Sequence, residues 1–417
     1  MSKLVINGGK ELYGAIEIQG AKNSVLPILA ATVLCNGICE IHNCPKLSDV
    51  KAAINILNHL GCKCNTSANV VTVDSNNIRC NKIPDDLMRE MRSSVIFLGA
   101  ILGKCGNAVI SSPGGCELGP RPIDLHIFAL KKLGAMVREK HGYIEFNAPN
   151  GLKGAEIHLS FASVGATENV ILAAVLANGI TTIYNAAKEP EIIDLATFLN
   201  SCGAQIYGSG TDTIVIHGVK KLGCCIHKII PDRIVTATYM SAVAITGGKI
   251  QLNGVEAGHI TAINSVFEET GCRIHCDKGN LSITAPERPL SISTIRTAVY
   301  PGFPTDAGPL VLAMLTRSLG TSVMVENIFD NRYRYVDELK RLGANIKVEG
   351  RVAIVVGVES LLGAPCRCTD LRGGAALVIA ALAANGKTTI CDINHIKRGY
   401  ENIAEAFSGL GADIIEV

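Results

Sequence analysis

The stretch SSPGGCELGPRPIDLH, residues 111–126, holds Cys116 in a glycine-rich loop and sets Arg121 five residues beyond it. A packed cysteine sits in an apolar strand or helix, whereas these neighbours are polar and turn-forming. A thiol near a helix start and an arginine has a lowered pKa and serves as nucleophile or proton donor. Gly114 and Gly115 would let such a loop close over a substrate. Two cations head apolar helices, Lys22 in QGAKNSVLPILAA and Arg372 in DLRGGAALVIAALAANG. A cation there opposes the helix dipole, which a bound anion would offset; a solvated lysine is the plain alternative. Arg92, Arg332 and Arg398 also lie outside the amphipathic segments, and guanidinium groups pair bidentately with carboxylate and phosphate. Asp306 follows a proline-rich turn and precedes an apolar helix. As an N-cap it would be structural; as a reactive carboxylate it would accept a proton from a hydroxyl.

Composition narrows what such groups bind. Lys and Arg number 39 against 37 Asp and Glu, which excludes a broad electrostatic grip on nucleic acid. Aromatics are 4% of residues and Trp is absent, which excludes base-stacking platforms. Any anion held is therefore small and held locally. A chain of 417 residues exceeds what one core serves, so two or more domains are expected. Sixteen cysteines in so long a chain do not form a disulfide framework. The N-terminus lacks a signal-peptide core, and apolar runs such as SVLPILAATVLC are too short to span a bilayer. The expectation is a cytoplasmic protein with reduced thiols and no membrane partner. CKC (62–64), the pair Cys224 and Cys225, and CRC (366–368) lack the usual C-x2-C zinc spacing and read as small hydrophobes.

The elements that must position these residues form a repeat. LNHLGCKCNTSANVVTV (57–73), LKKLGAMVREKHGYIEF (130–146), LNSCGAQIYGSGTDTIVI (199–216), FEETGCRIHCDKGNLSIT (267–284), LKRLGANIKVEGRVAIVV (339–356) and FSGLGADIIEV (407–417) are six copies, the last truncated. Each reads as a helix closed by a glycine, followed by strand, turn and strand. An Ala-rich apolar helix and a strand precede each copy, so the unit is helix, strand, helix, hairpin. The more apolar helix is expected to be buried and the amphipathic one to cover it. Six such units suggest two three-unit bodies with a ligand cleft between them.

The motifs GAKNSVLPILAA, PGGC with GPRPIDLH, SVGATENVILAA, PDRIVTATYM, PGFPTD, NRYRYVDELKRLGA, DLRGGAALVIAALA and HIKRGYENI resemble those of the bacterial UDP-N-acetylglucosamine enolpyruvyl transferases, from the first strand to the last. The resemblance implies an α/β enolpyruvyl transferase fold of two inside-out α/β barrel domains, each of three repeated units. One domain would span 22–229 and the other 1–21 with 230–417, with the active site in the cleft. It implies transfer of the enolpyruvyl group of phosphoenolpyruvate to the 3′-hydroxyl of UDP-N-acetylglucosamine with release of phosphate, the first committed step of peptidoglycan synthesis, with no metal or organic cofactor. By the same resemblance Cys116 protonates the enol methylene or forms a covalent adduct and is alkylated by fosfomycin-type epoxides, and Asp306 is the base. Lys22, Arg121 and Arg398 hold phosphate, and Arg332 and Arg372 hold the carboxylate. Asn23 and Arg92 lie beside them. Arg121, Pro122, Ile123, Asp124, Leu125, Ser163, Val164, Asp306 and Ile328 bind the nucleotide. The protein is expected as a monomer or a weak homo-oligomer.

Some positions depart from that pattern. AGPL (307–310) replaces a Gln-containing run, Phe161 stands where lysine is common, Tyr335 where histidine is frequent, and DLRGG replaces DLRAG or DLRAS. Phe161 puts one nucleotide contact in question. Three rival readings follow: a shikimate enolpyruvyl transferase, which uses no loop cysteine; a non-catalytic UDP-sugar-binding paralogue; and a redox sensor built on Cys116, for which no resolving cysteine is evident.

Overall fold

The computed structural model describes residues 2–91, 94–111 and 123–417. Arg92, Cys116, Arg121 and Pro122, all expected in the site, lie outside the described residues. The chain divides into two compact units, one formed by the described residues of 20–230 and the other by those of 2–19 and 231–417.

Each unit is built around apolar helices that the sequence marks by their Ala, Val, Ile and Leu content. In the second unit these are Arg233–Thr246, Gly308–Leu315 and Leu371–Ala383, which pack on one another and are buried on nearly every side. In the first they are Lys22–Ala31, Phe97–Cys105 and Val164–Ala174. A helix apolar all round must sit inside, so here helices form the centre and sheets the outside. The close approach of Phe97–Cys105 to Val164–Ala174 depends on Gly99: a Cβ there would lie 2.3 Å from the Asn169 carbonyl oxygen. The amphipathic helices bury one face only. Ser48–Leu60 turns Val50, Ala53, Ile56, Leu57 and Leu60 inward.

All six glycines expected to close helices adopt the left-handed conformation, with φ between 90° and 104° at Gly61, Gly134, Gly203, Gly271, Gly343 and Gly411. The hairpins after them join sheets of one plan. Ile180–Tyr184 pairs parallel with Glu156–His158 and antiparallel with Thr213–His217, which pairs antiparallel with Gln205–Tyr207. Gly248–Asn253 and Thr321–Val325 hold the same central position in two sheets of the other unit. The truncated sixth copy is completed by the start of the chain. Leu4–Asn7 inserts antiparallel between Lys387–Cys391 and Asp413–Glu416, with Ile6 opposite Thr388 and Ile414. Leu4 and Ile6 are buried from that strand while Asn7 is exposed, the alternation a half-covered sheet requires. Among the described residues, no helix is long and apolar enough to cross a membrane.

Candidate active site

In the unit made from the chain ends, three of the expected residues converge. Asp306 lies in the short 3-10 turn Thr305–Ala307, at the start of which Pro304 fixes the backbone. Asp306 holds the N-cap position of neither element; that position falls to Pro304 for the turn and to Ala307 for the helix Gly308–Leu315. Instead Oδ1 accepts from Arg332 Nη2 at 2.9 Å and Oδ2 from Arg372 Nε at 3.2 Å. Both guanidiniums are buried, and the carboxylate is partly exposed. Burial makes each arginine dependent on a counter-charge, since an unpaired ion in a protein interior costs several kcal/mol.

The two arginines are held from different directions. Arg332 Nη2 also donates to the Thr305 carbonyl at 3.1 Å, and its guanidinium lies over the Phe329 ring. Arg372 enters the helix Leu371–Ala383 just after Asp370, whose carboxylate caps the Arg372 and Gly373 N–H groups. Arg372 Nη1 donates to the Tyr400 hydroxyl, which is 2.7 Å from Thr238 Oγ1. Tyr400 follows Arg398 by two residues at the end of the 3-10 segment Ile393–Arg398 and fixes that segment against the arginine. Arg398 itself is half-buried.

Glu326, absent from the expected set, organises the loop beside Asp306. Its Oε1 accepts from the Ile328 and Phe329 N–H groups and from Thr297 Oγ1, and its Oε2 from Thr305 Oγ1 at 2.9 Å. One buried carboxylate thus ties Ile328, an expected nucleotide contact, to the turn that carries Asp306. Two of the sequence departures also meet here. A Cβ on Gly373 would fall 2.6 Å from Asp370 Oδ2 and 2.7 Å from Tyr335 Cβ, so the glycine of DLRGG lets the helix start pack closely against both. The Tyr335 hydroxyl is buried with no hydrogen-bond partner, at a cost of about 1–3 kcal/mol for such a group.

In the other unit, Lys22 opens its helix and is buried, so the solvated reading does not hold. Its Nζ lies 2.9 Å from Oδ2 of Asp49, which is itself buried in the first turn of Ser48–Leu60. Asn23, next along the helix, is exposed. Ser24 donates to Asp194, which also pairs with His227 Nε2 at 2.9 Å, and this anchors the helix start.

The described ones among the nucleotide contacts expected in this unit lie at two neighbouring helix starts. Ile123 is the residue before Asp124–Lys132; Asp124 is exposed and Leu125 half-buried. Ser163 caps Val164–Ala174, its Oγ accepting from the Ala166 N–H at 3.3 Å. Phe161, in the place of the common lysine, is exposed. Asn169 locks the two helices together. Its Oδ1 accepts from the Gly99 N–H at 2.6 Å, so its Nδ2 must donate, and it does so to His126 Nδ1 at 2.9 Å. His126 is consequently an acceptor, and burial pushes its imidazolium down to about 4, only partly opposed by Asp124.

Glu168, beside Asn169, is buried, and burial together with Glu191 and Glu189 raises its carboxyl well above the usual range. The folded protein therefore keeps a proton that the unfolded chain releases at ordinary carboxylate pH. Stability from this group is greatest in acid and is lost as pH rises towards the folded pKa. Glu168→Gln, an isostere of the protonated form, should match wild type in thermal stability at acid pH. It should exceed it by about 1–3 kcal/mol in alkali. Melting curves across pH check this, and a pH-independent difference would contradict it.

Asp49, His126, Asn169, Glu326 and Tyr400 went unread in the sequence because each acts through a neighbour distant in the chain. Only Asp49, an acidic residue starting an amphipathic helix, carried a local signal.

Residues 6–407 match the EPSP synthase (3-phosphoshikimate 1-carboxyvinyltransferase) family. The chain is 51% identical over 417 residues, all of both chains, to "UDP-N-acetylglucosamine 1-carboxyvinyltransferase 2" of Caldanaerobacter subterraneus subsp. tengcongensis. It is 45% identical, again over the full length of both, to the UDP-N-acetylglucosamine 1-carboxyvinyltransferase of Geobacter metallireducens. Among solved structures it shares the fold of the enolpyruvyl transferase NikO from Streptomyces tendae, with a TM-score of 0.91 at 24% identity, covering 100% of this chain and 99% of that one. EPSP synthase from Acinetobacter baumannii matches with a TM-score of 0.77 at 17% identity over the whole of both chains.

Proposed function

The chain belongs to the EPSP synthase family and, within it, to the UDP-N-acetylglucosamine 1-carboxyvinyltransferases, and from that membership we propose how its residues divide the reaction. The enzyme moves the enolpyruvyl group of phosphoenolpyruvate to UDP-N-acetylglucosamine, in peptidoglycan synthesis, as its full-length relatives do. The acceptor 3′-hydroxyl adds to C2 of phosphoenolpyruvate while C3 takes a proton. Loss of one proton from the resulting C3 methyl group, together with phosphate, then leaves the enol ether.

The observation that carries the site reading is the convergence of Asp306, Arg332 and Arg372 from three separate chain segments. A carboxylate backed by two buried guanidiniums is oriented to take the proton of the sugar hydroxyl. The same guanidiniums suit the donor's carboxylate, because planar forks match it bidentately. Lys22, Arg121 and Arg398 supply positive charge for the phosphate, which gains charge as it leaves. Cys116 gives the proton to C3 or forms a covalent adduct at C2, and is the group that fosfomycin-type epoxides alkylate. Asn23, Arg92, Pro122, Ile123, Asp124, Leu125, Ser163, Val164 and Ile328 complete the substrate contacts. Residues 22–229 would act as the domain that brings Lys22 and Cys116, and residues 1–21 with 230–417 as the domain that brings Asp306. The same reading places the reaction in the cytoplasm.

Running the reaction in deuterium oxide tests this chemistry. Addition and elimination through a methyl group at C3 will place solvent deuterium in the vinyl methylene of the product. A product with no deuterium at that carbon would overturn the addition–elimination route.

A further inference from the structure

Four cysteines that the catalytic chemistry does not use meet inside the unit formed by residues 20–230. Cys35 and Cys39 bracket a tight turn at the end of the buried helical segment that begins at Lys22. Cys202 ends the helix Pro190–Ser201, and Cys225 directly precedes the strand Ile226–Lys228. The sulfurs of Cys35, Cys39 and Cys202 all lie within 4.8 Å of one another. Cys35 Sγ is 3.7 Å from Cys202 Sγ, and Cys202 Sγ is 3.4 Å from Cys225 Sγ. Three of the four are buried and Cys225 is half-buried.

The Cys35–Cys202 and Cys202–Cys225 separations, and the mutual closeness of the Cys35, Cys39 and Cys202 sulfurs, approach those of a thiolate metal site. A tetrahedral ion with metal–sulfur bonds of about 2.3 Å has sulfur–sulfur edges of about 3.8 Å. The backbone already fixes the three segments relative to one another. The Gly223 N–H donates to the Cys202 carbonyl at 2.8 Å, the Glu40 N–H to the Cys225 carbonyl at 3.1 Å, and the Asn36 N–H to the Leu222 carbonyl at 3.2 Å. Cys225 Sγ, which lies beside Cys202 but outside the group of mutually close sulfurs, would turn towards Cys35 and Cys39 to become the fourth ligand. Lys104 brings positive charge alongside, its Nζ donating to the Cys35 carbonyl at 3.2 Å and to Asn36 Oδ1 at 2.9 Å. A cation there partly offsets the net negative charge of a metal held by several thiolates.

We propose that Cys35, Cys39, Cys202 and Cys225 form a structural site for one thiophilic d10 cation, of the class of Zn²⁺. Each coordinating thiol gives its proton to solvent as the metal binds, and no oxidant is involved. Half-buried Cys225 is the entry ligand. Cys35 lies some thirteen residues along from Lys22, roughly 20 Å at the helical rise, so the site is apart from Lys22. The reading of Cys225 as a small hydrophobe does not account for four thiols arriving from three segments.

The test uses the full-length enzyme, stripped with a chelator under reducing conditions and titrated with Co²⁺. Tetrahedral thiolate ligation predicts sulfur-to-cobalt charge-transfer and intense d–d absorption saturating at one ion per chain, reversed by Zn²⁺. Cys202→Ser, and separately Cys225→Ser in case the first fails to fold, should weaken Co²⁺ binding at least tenfold. Phosphate release should stay within twofold of wild type. Octahedral or absent cobalt absorption in the wild type, or spectra unchanged in both variants, would overturn the site. So would intact-mass evidence, before reduction, that Cys202 is oxidised to a disulfide with a neighbouring cysteine.

Discussion

Asp306→Asn will lower turnover by about 10²–10⁴-fold, the range that general acid–base groups supply. The substitution removes the proton acceptor and also turns an amide donor towards one of two guanidinium donors. Arg332 and Arg372 are almost wholly buried, and each is paired with one oxygen of this carboxylate. Some stability will be lost as well. Because Asp306 is itself partly exposed, the loss should stay below the about 3–5 kcal/mol of breaking a fully buried pair. The loss should fall on kcat, with the KM for the UDP-sugar within about threefold, since the change removes an interaction made in the transition state. Steady-state kinetics with both substrates varied decide this; turnover within twofold of wild type would remove Asp306 from the chemistry.

Cys116→Ser is expected to have the second large effect. Serine keeps the shape and loses the acidity, because a hydroxyl gives up its proton far less readily than a thiol. Turnover should fall by about 10²-fold or more, and binding of UDP-N-acetylglucosamine should persist. Calorimetric binding of the UDP-sugar alongside turnover separates the two. A serine variant that turns over like wild type would assign the proton transfer to another group.

The repeat was legible because it is local. Each amphipathic helix ends at a glycine whose left-handed φ the sequence pattern demands, and all six behave so. The burial of the apolar helices follows from their lack of a polar face. The completion of the sixth copy by Leu4–Asn7 was not legible, since nothing in a short N-terminal strand names a partner nearly four hundred residues away. The site divides along the same line. Residue types at helix starts drew attention to Lys22 and Arg372, but the anions facing them, Asp49 and Asp306, are set by tertiary packing. Asp306 had an adequate local explanation as a helix cap, and only the coordinates show its side chain turned to the arginines instead. Glu326 illustrates the harder case. Its sequence neighbours give no hint that one carboxylate accepts from four donors and so holds Ile328 and the Asp306 turn together. Tyr335 and Gly373, read separately as departures, pack against each other.

Acceptor choice is the most direct test of the whole account. Phosphate release from phosphoenolpyruvate should be measured with UDP-N-acetylglucosamine and, in parallel, with shikimate 3-phosphate. Release should be stoichiometric with loss of the UDP-sugar and stay at background with the shikimate. Release that depends on shikimate 3-phosphate, or none with either acceptor, would contradict it.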